Sequence, residues 1–390
     1  MNIEQIRKDT RHCHDKLFFN SAGSSLMPHV VVESMHAYLQ EEERIGGYKL
    51  FDLQQNRINE FYQEAAQLLN CQAHNIAFAN SATDAYAKAL SSIPFQKGDV
   101  IICTDDDYNS NYIQFISLQK RAGIQLVRTK NLENGDLDLE DFQKLMEQHQ
   151  PKLVSVSHIP TSSGLIQDVI AVGEICQHYN TLFLVDACQS VGHIPVDVTQ
   201  IHCDFLTATG RKFLRGPRGT GLLYVSDRVL QEGYSPLFLD MRGANWKAIN
   251  DYEVVAHAKR FEMWEQPYAL VIGLKETIRY ANRIGMEAIH QYNQQLMQQF
   301  RSQLAQVSKV RIFDQGTQTG NILTFAKAGR SLEEHHQHLN RHNVFFSTSQ
   351  RTGSLIDYGK KNIDWAIRLS PHYFNTIDEV EQVVEIIEAL

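Results

Sequence analysis

Short apolar runs alternate with helix-length amphipathic stretches over the middle of the chain. Runs of this length are typical of strands buried on both faces, and the stretches between them have the apolar spacing of helices. Strand–helix–strand alternation predicts an α/β fold in which helices cover a mainly parallel sheet. The seven predicted strands are 76–79, 100–103, 125–127, 153–156, 182–185, 205–207 and 221–225, and the helices between them include 82–91, 112–122, 139–148 and 169–179.

The C-terminal part of the chain has a different pattern. A long stretch without strand signals predicts helix, and short apolar runs mixed with helical segments then predict a smaller α+β domain. We place the large domain at residues 16–260 and the small domain at residues 261–390, with residues 1–15 packing on the small domain. The helical stretch is 266–307, the predicted strands are 310–313, 321–325, 344–346 and 365–369, and the later helices are 331–341 and 377–389.

Composition narrows the possible partners and the location. The 390 residues include 37 basic and 45 acidic side chains, a net charge of −8, and no basic stripe, which argues against a nucleic-acid partner. No apolar run approaches the length of a bilayer span, and the N-terminus lacks the apolar core of a signal peptide. We therefore expect a cytoplasmic protein without a membrane partner.

The histidines around residue 338 have no HExxH pattern and no cysteine partner, so no metal is expected.

Six cysteines are present, without the spacing of a metal site or a disulfide framework. They indicate buried thiols in a reducing compartment. No residue after Cys203 is a cysteine, so the whole predicted small domain lacks a thiol.

A lysine follows the predicted strand 205–207 in a glycine-rich segment. A lysine at a strand end, flanked by apolar residues, can lose its charge by desolvation and become nucleophilic, as Lys212 would here. Thr209 and Arg211 beside it are donors suited to a phosphate. A basic surface loop would have similar residues, so this segment by itself leaves both readings open.

Two further segments place polar groups at the ends of other predicted strands. Asp186 directly follows a buried strand, where a carboxylate needs a cationic partner such as a pyridinium nitrogen, or serves as a helix N-cap. Ala82 and Thr83 begin a predicted helix whose free N–H groups can bind an anion. Asp186 and Lys212 are expected at the same edge of the sheet.

In this order the segments resemble the fold-type I pyridoxal-phosphate (PLP) enzymes of the class V aminotransferase and cysteine desulfurase superfamily. The resemblance implies PLP as cofactor, a small-molecule amino acid as substrate, and a homodimer with shared active sites. It implies catalytic roles for Lys212, which would carry the cofactor, and Asp186, which would face the pyridinium nitrogen. The further cofactor contacts that it implies are Ala82, Thr83, Tyr108 as the ring-stacking residue, His158, Gln189, Thr209 and Arg211.

The resemblance also implies residues for the substrate. Arg368 matches the arginine that binds the substrate carboxylate, with a structural salt bridge as the alternative. Asn20 and Tyr48 belong to stretches that resemble a narrower group, the hercynylcysteine sulfoxide (C–S) lyases of ergothioneine biosynthesis, and the segment around Trp264 also suits that group. Tyr48, Trp264 and Arg351 could line a distal pocket, where aromatic faces attract a cation, or could be packing residues.

The reaction is less narrowly defined than the cofactor, since transamination, β-elimination, desulfuration and racemisation are all open to PLP enzymes. Desulfuration through a persulfide needs a thiol on a loop of the small domain, and segment 345–354 has hydroxyls but no cysteine. We therefore expect a C–S lyase that cleaves a cysteine S-conjugate or sulfoxide to pyruvate, ammonia and a sulfur product. A class V aminotransferase is the alternative, while a cysteine desulfurase and a non-catalytic relic of the fold are less favoured.

Overall fold

The computed structural model describes residues 1–390. The strands are β1 (Leu17–Phe18), β2 (Ile76–Ala79), β3 (Val100–Cys103), β4 (Gln125–Arg128), β5 (Leu153–Ser157), β6 (Leu182–Asp186), β7 (Phe205–Thr209), β8 (Gly221–Val225), β9 (Ala244–Ala248), β10 (Asp251–Val254), β11 (Val310–Ile312), β12 (Leu323–Lys327), β13 (Val344–Phe345), β14 (Ser347–Gln350) and β15 (Trp365–Leu369). The helices are α1 (Ile3–Asp9), α2 (His29–Ile45), α3 (Gly47–Leu69), α4 (Ala82–Ser92), α5 (Asn109–Ala122), α6 (Leu139–His149), α7 (Val169–His178), α8 (Val198–Ile201), α9 (Asp227–Gln231), α10 (Tyr268–Ile284), α11 (Met286–Leu304), α12 (Leu332–Arg341), α13 (Leu355–Lys361) and α14 (Ile377–Glu388).

Seven strands form the central sheet in the order β2-β8-β7-β6-β5-β3-β4. The five strands from β7 to β4 in this order are parallel, and β8 runs antiparallel to both of its neighbours. All seven strands predicted for this region are present, so the α/β fold with a mainly parallel seven-stranded sheet is confirmed.

The inner strands of the central sheet are buried on both faces because most of their successive residues are apolar. In β6, Phe183 and Val185 pack into one core, whereas Leu182 and Leu184 pack into the core on the opposite face. Each such side chain contributes about 1.5–3 kcal/mol when fully buried. Burial on both faces leaves the ends of the strands as the accessible part of the sheet, and polar side chains lie there.

The C-terminal part contains an antiparallel sheet in the order β11-β12-β15-β14. The N-terminus contacts other elements of this C-terminal part: β1 pairs with β13, and Arg7 of α1 forms a 2.7 Å ion pair with Glu379 of α14. The helical stretch predicted at 266–307 is interrupted at Gly285, which has a φ of 90°, and α10 packs on α2 and α3 of the large part. The boundary between residues 260 and 261 stays a prediction.

Several elements had no counterpart in the sequence prediction, among them the long helices α2 and α3, the helix α13 and the hairpin β9–β10. None of the helices combines the length and the apolar character that crossing a bilayer requires.

Candidate active site

The carboxyl ends of β5, β6 and β7 meet at one edge of the sheet, where a cavity of about 270 Å³ opens. We call it the cofactor cavity. Parallel strands bring their last residues to the same edge, which explains why segments far apart in the sequence converge here. Its lining residues are Asn80, Ser81, Ala82, Thr83, Tyr108, Ser157, Ile159, Thr161, Asp186, Cys188, Gln189, Thr209, Arg211, Lys212, Arg218, Gly219 and Thr220.

Asp186 is the last residue of β6 and is 6% exposed. One of its oxygens accepts a hydrogen bond from the Asn111 amide at 3.0 Å, and the other accepts one from the Cys188 backbone N–H at 3.0 Å. Both partners are neutral, so no cation of the chain pairs with this buried carboxylate. A buried carboxylate without a cation is costly, and the N–H of a pyridinium ring would compensate it.

Lys212 is buried in the same cavity, with its Nζ 5.7 Å from the centroid of the Tyr108 ring. Burial lowers the pKa of Lys212, and the charges of Arg211 and Arg368 lower it further, while Cys188 and Asp186 act in the opposite direction. A lysine whose pKa is lowered in this way is a better nucleophile and base at neutral pH.

The start of α4 forms an anion cradle at one end of the cofactor cavity. The Ser81 hydroxyl caps the helix through the Asp84 N–H at 3.1 Å, and the N–H groups of the first helical residues, which have no partners within the helix, begin at Ala82 in the cavity wall. Gly221 permits β8 to approach this point, because a Cβ there would lie 3.1 Å from the Ala82 nitrogen.

Two guanidinium groups line the cavity with this cradle. Burial and the nearby charge of Arg218 lower the pKa of Arg211, and a neutral acceptor, the Gly23 carbonyl, takes the hydrogen bond from Arg211. Two neighbouring cations beside a helix N-terminus are suited to a dianion such as a phosphate group. Sequence reasoning missed Arg218, although it is the second arginine after Lys212 in the same glycine-rich segment.

Gln189 lies on the cavity wall and is held from two sides. Its Nε2 donates to the Thr161 hydroxyl at 2.8 Å and to the Ala22 carbonyl at 3.2 Å, while its Oε1 is buried without a partner. Thr161 therefore orients the Gln189 side chain on the cavity wall.

A second cavity of about 270 Å³ adjoins the first and shares Tyr108, Thr161, Arg211 and Lys212 with it. We call it the substrate cavity. Arg368 lines it, and its Nη1 donates to the Thr161 hydroxyl at 2.7 Å and to the Thr161 carbonyl at 3.1 Å. Its Nε has no partner, and burial lowers the pKa of Arg368 to about 10. No carboxylate pairs with Arg368, so the alternative of a structural salt bridge is not what the structure has.

The far wall of the substrate cavity is polar and uncharged. Strand β14 contributes Thr348, Ser349 and Gln350 to it, and no cysteine lines it. Cys188, two residues after Asp186 in the chain, is the one thiol of the cofactor cavity. Neither cavity contains an acidic residue other than Asp186.

Asp107 supports the site from behind, a role that sequence reasoning missed. One of its oxygens accepts hydrogen bonds from the Tyr108 backbone N–H at 2.6 Å, the Asn111 amide at 3.0 Å and the Ser157 hydroxyl at 2.5 Å. Asn111 in turn binds Asp186. Burial raises the pKa of Asp107 to about 6.

Several residues expected at the site lie elsewhere within the chain. The side chain of His158 does not line the cofactor cavity, because successive residues at the end of β5 alternate in direction and its two neighbours line it instead. Asn20 bridges to Ser370 in backbone pairing and lines neither cavity.

The expected distal pocket is not formed by one chain. Tyr48 is 84% exposed and Trp264 43% exposed, and neither lines a cavity of the site. Arg351 faces Asp364, with 3.5 Å between nitrogen and oxygen.

The charged side chains of the cofactor cavity fit PLP. A buried carboxylate without a cation, a paired set of guanidinium groups without an anion, and a buried lysine with a lowered pKa match the pyridinium nitrogen, the phosphate and the aldehyde of that molecule in turn. The fit rests on charge and hydrogen-bonding capacity that the chain leaves unused.

Comparison with known proteins agrees with this fit. A probable cysteine desulfurase of Methanothermobacter thermautotrophicus is 26% identical over 405 residues, covering 100% of this chain and 98% of that protein. The apo structure of a cysteine desulfurase from Thermococcus onnurineus superposes with a TM-score of 0.92 at 25% identity, covering 100% of this chain and 98% of the other. The cystine C–S lyase C-DES, in complex with its product cysteine persulfide, shares the fold with a TM-score of 0.85 at 21% identity, covering 96% and 97%.

The family model for class-V aminotransferases matches residues 17–383, nearly the whole chain. This confirms the superfamily that the motifs implied, and with it an enzyme that depends on PLP. The chain belongs to the class-V aminotransferase family.

Proposed function

We propose that the protein is a C–S lyase that releases sulfur from cysteine or an S-substituted cysteine by β-elimination. The proposal rests on two features of the substrate cavity. Arg368 pairs with no carboxylate of the chain and can bind that of the substrate, and no thiol lines the cavity to receive sulfur. The balanced reaction converts R–S–CH₂–CH(NH₃⁺)–COO⁻ and water into R–SH, pyruvate and ammonium.

The residues divide the work between binding and proton transfer. PLP, when bound, supplies an electron sink for the charge that develops at the substrate Cα. Arg368 binds the substrate carboxylate through its fork of N–H groups and so orients the Cα hydrogen. Lys212 Nζ accepts that proton, for which its lowered pKa is suited.

The remaining groups hold the cofactor in place. Asp186 would accept from the pyridinium N–H, with Asn111 fixing the orientation of its carboxyl group. Arg211, Arg218 and the start of α4 would hold the phosphate. In this proposal the Ser349 hydroxyl is a hydrogen-bond donor to the departing group.

Cysteine desulfurase is the second candidate, favoured by the name of the relative from Methanothermobacter thermautotrophicus. That reaction converts cysteine and an acceptor thiol into alanine and a persulfide. Cys188 is the one thiol of the chain that lines the cofactor cavity, although burial raises its pKa well above the ordinary value. Both a desulfurase and a cystine lyase have this fold, so the fold does not separate the two reactions.

Product analysis separates the candidates. The PLP-loaded protein is incubated with cysteine, cystine and S-methylcysteine, and pyruvate, ammonia and alanine are quantified. The lyase proposal predicts pyruvate and ammonia in equal amounts. Alanine formed in proportion to added thiol would support the desulfurase, and amino-group transfer to an added keto acid without pyruvate would support an aminotransferase.

Ergothioneine-type conjugates are not included among the proposed substrates. The aromatic residues that would favour a cationic imidazole do not line the substrate cavity of one chain.

A homodimer is part of the proposal. Large apolar side chains are exposed in segment 237–254, including Phe238 at 85% and Trp246 at 81%, and Tyr48 of α3 is 84% exposed. Exposed apolar surface of this extent is typical of a protein interface, and the family resemblance makes a second copy of the chain the partner. Sedimentation velocity should give a dimer that Trp246→Asp weakens, whereas a monomeric wild-type protein would contradict this part.

A further inference from the structure

A third cavity, which we call the rear cavity, lies behind the loops that form the cofactor cavity. Its volume is about 570 Å³, against about 270 Å³ for the cofactor cavity. The loops after β5 and β6 each contribute residues to both cavities. After β5, Ile159 lines the cofactor cavity and His158 the rear cavity; after β6, Gln189 lines the cofactor cavity and Ile194 the rear cavity. The proposed reaction leaves this space without a role.

The rear cavity combines apolar walls with negative charge. Eight of its 18 lining residues are hydrophobic, and none is a lysine or arginine. Its carboxylates are Asp136, Asp168, Asp197 and Glu287. Asp168 and Asp197 also cap the starts of α7 and α8 through backbone N–H groups, which leaves their charge in place. A space of this size with an apolar wall and a few convergent polar groups has the character of a small-molecule site.

Two buried polar side chains of the cavity wall have unused acceptors. His158 is 6% exposed and Gln167 is 2% exposed, and neither His158 Nδ1 nor Gln167 Oε1 has a partner in the chain. A buried polar atom without a partner is costly, so a ligand that forms hydrogen bonds with these atoms is favoured here. Burial lowers the pKa of His158 to about 4, so its neutral ring does not offset the carboxylates at pH 7.

We propose that the rear cavity binds a small organic cation, in which an amidinium, guanidinium or ammonium group is joined to an apolar body. The carboxylates attract the charge, the apolar wall accepts the body, and the N–H groups of the cation satisfy the unpartnered acceptors. The ligand would touch side chains of residues that also adjoin the cofactor cavity: the His158 backbone N–H donates to the Asp186 carbonyl at 3.0 Å, and Gln167 Nε2 donates to the Ser157 carbonyl at 2.8 Å. The site is separate from the proposed reaction and does not depend on it.

Calorimetric titration of the PLP-loaded protein tests the proposal with benzamidine as the probe and benzamide as its neutral counterpart. A protonated amidine is a poor nucleophile, which keeps it from competing for the cofactor. We expect one benzamidine to bind per chain and benzamide to bind at least about tenfold more weakly, because a charged donor strengthens hydrogen bonds to carboxylates. Equal affinity for the two compounds, or no binding of millimolar benzamidine, would overturn the proposal.

Two variants locate the binding. Asp168→Asn combined with Glu287→Gln removes two charges, and asparagine preserves the helix cap; we expect about tenfold weaker benzamidine binding. Ile170→Trp, at a cavity position that is 42% exposed, should fill the space and also weaken binding. Glu333→Gln on α12 is the matched control and should bind as the wild type does. Unchanged affinity in both cavity variants would place the benzamidine elsewhere and refute the assignment.

Discussion

The cofactor cavity and the substrate cavity adjoin, yet they are encoded in different ways. The cofactor cavity is built from residues at or just beyond the ends of strands of one sheet, such as Asp186 and Lys212, so short motifs specify it. The substrate cavity draws on distant segments, with Gly23 from the N-terminus, Ser162 from the large part, and Ser349 and Arg368 from two strands of the C-terminal sheet. The cofactor can therefore be predicted from short sequence motifs, whereas the choice of substrate depends on how separate parts of the chain come together.

The largest expected effect lies in the cofactor cavity. Lys212→Ala removes both the covalent attachment and the base, so we expect turnover to fall by about 10³-fold or more. Borohydride reduction followed by mass spectrometry should find the cofactor mass on Lys212 in the wild type and on no residue of the variant. Cofactor attached to another lysine would refute the assignment.

In the substrate cavity, Arg368→Gln should act on binding. Loss of a charged fork to a carboxylate is expected to raise KM by about tenfold to a hundredfold, with a smaller change in kcat. Steady-state kinetics with cystine measure both constants. A fall in kcat alone, at unchanged KM, would contradict the role in substrate binding and would assign Arg368 to the cofactor cavity.

The pH dependence of KM sharpens the same point. The pKa of Arg368 is lowered to about 10. The guanidinium is charged below that value and loses its charge as the pH rises through it, so KM should rise above about pH 10. Arg368→Gln should show no such rise, and a wild-type KM that stays flat to pH 11 would contradict the role.

Asp107 gives a smaller expected effect than Lys212 and Arg368. Burial raises its pKa to about 6, so its carboxylate is protonated as the pH falls through 6 and then accepts less strongly from Asn111 and Ser157. We expect Asp107→Asn to lower kcat by about tenfold or less and to remove part of the acidic decline in kcat that the wild type shows. An unchanged pH profile in the variant would contradict this positioning role.

The strands and the cofactor were predictable because each leaves a local signal. Apolar runs predicted all seven strands of the central sheet, and the motifs around Lys212 and Asp186 carried the family resemblance that implied PLP. Asp107 and Arg218 were missed because their importance comes from contacts across the fold. The hairpin β9–β10 has little apolar alternation, since most of its residues are exposed. His158 was expected to contact the cofactor, but its side chain lines the rear cavity instead, because successive residues of an extended strand point to opposite sides.

The central claim is that sulfur leaves without a thiol of the protein, and Cys188→Ala tests it most directly, since no other thiol lines either cavity of the site. The measurement is the rate of pyruvate formation from cystine by the PLP-loaded variant, with intact-protein mass recorded after turnover of the wild type. The account predicts a rate within about twofold of the wild type and no added sulfur on the protein, because general acid–base chemistry at Lys212 does not need the thiol. Loss of activity in the variant, together with a sulfur adduct on Cys188 of the wild type, would contradict it.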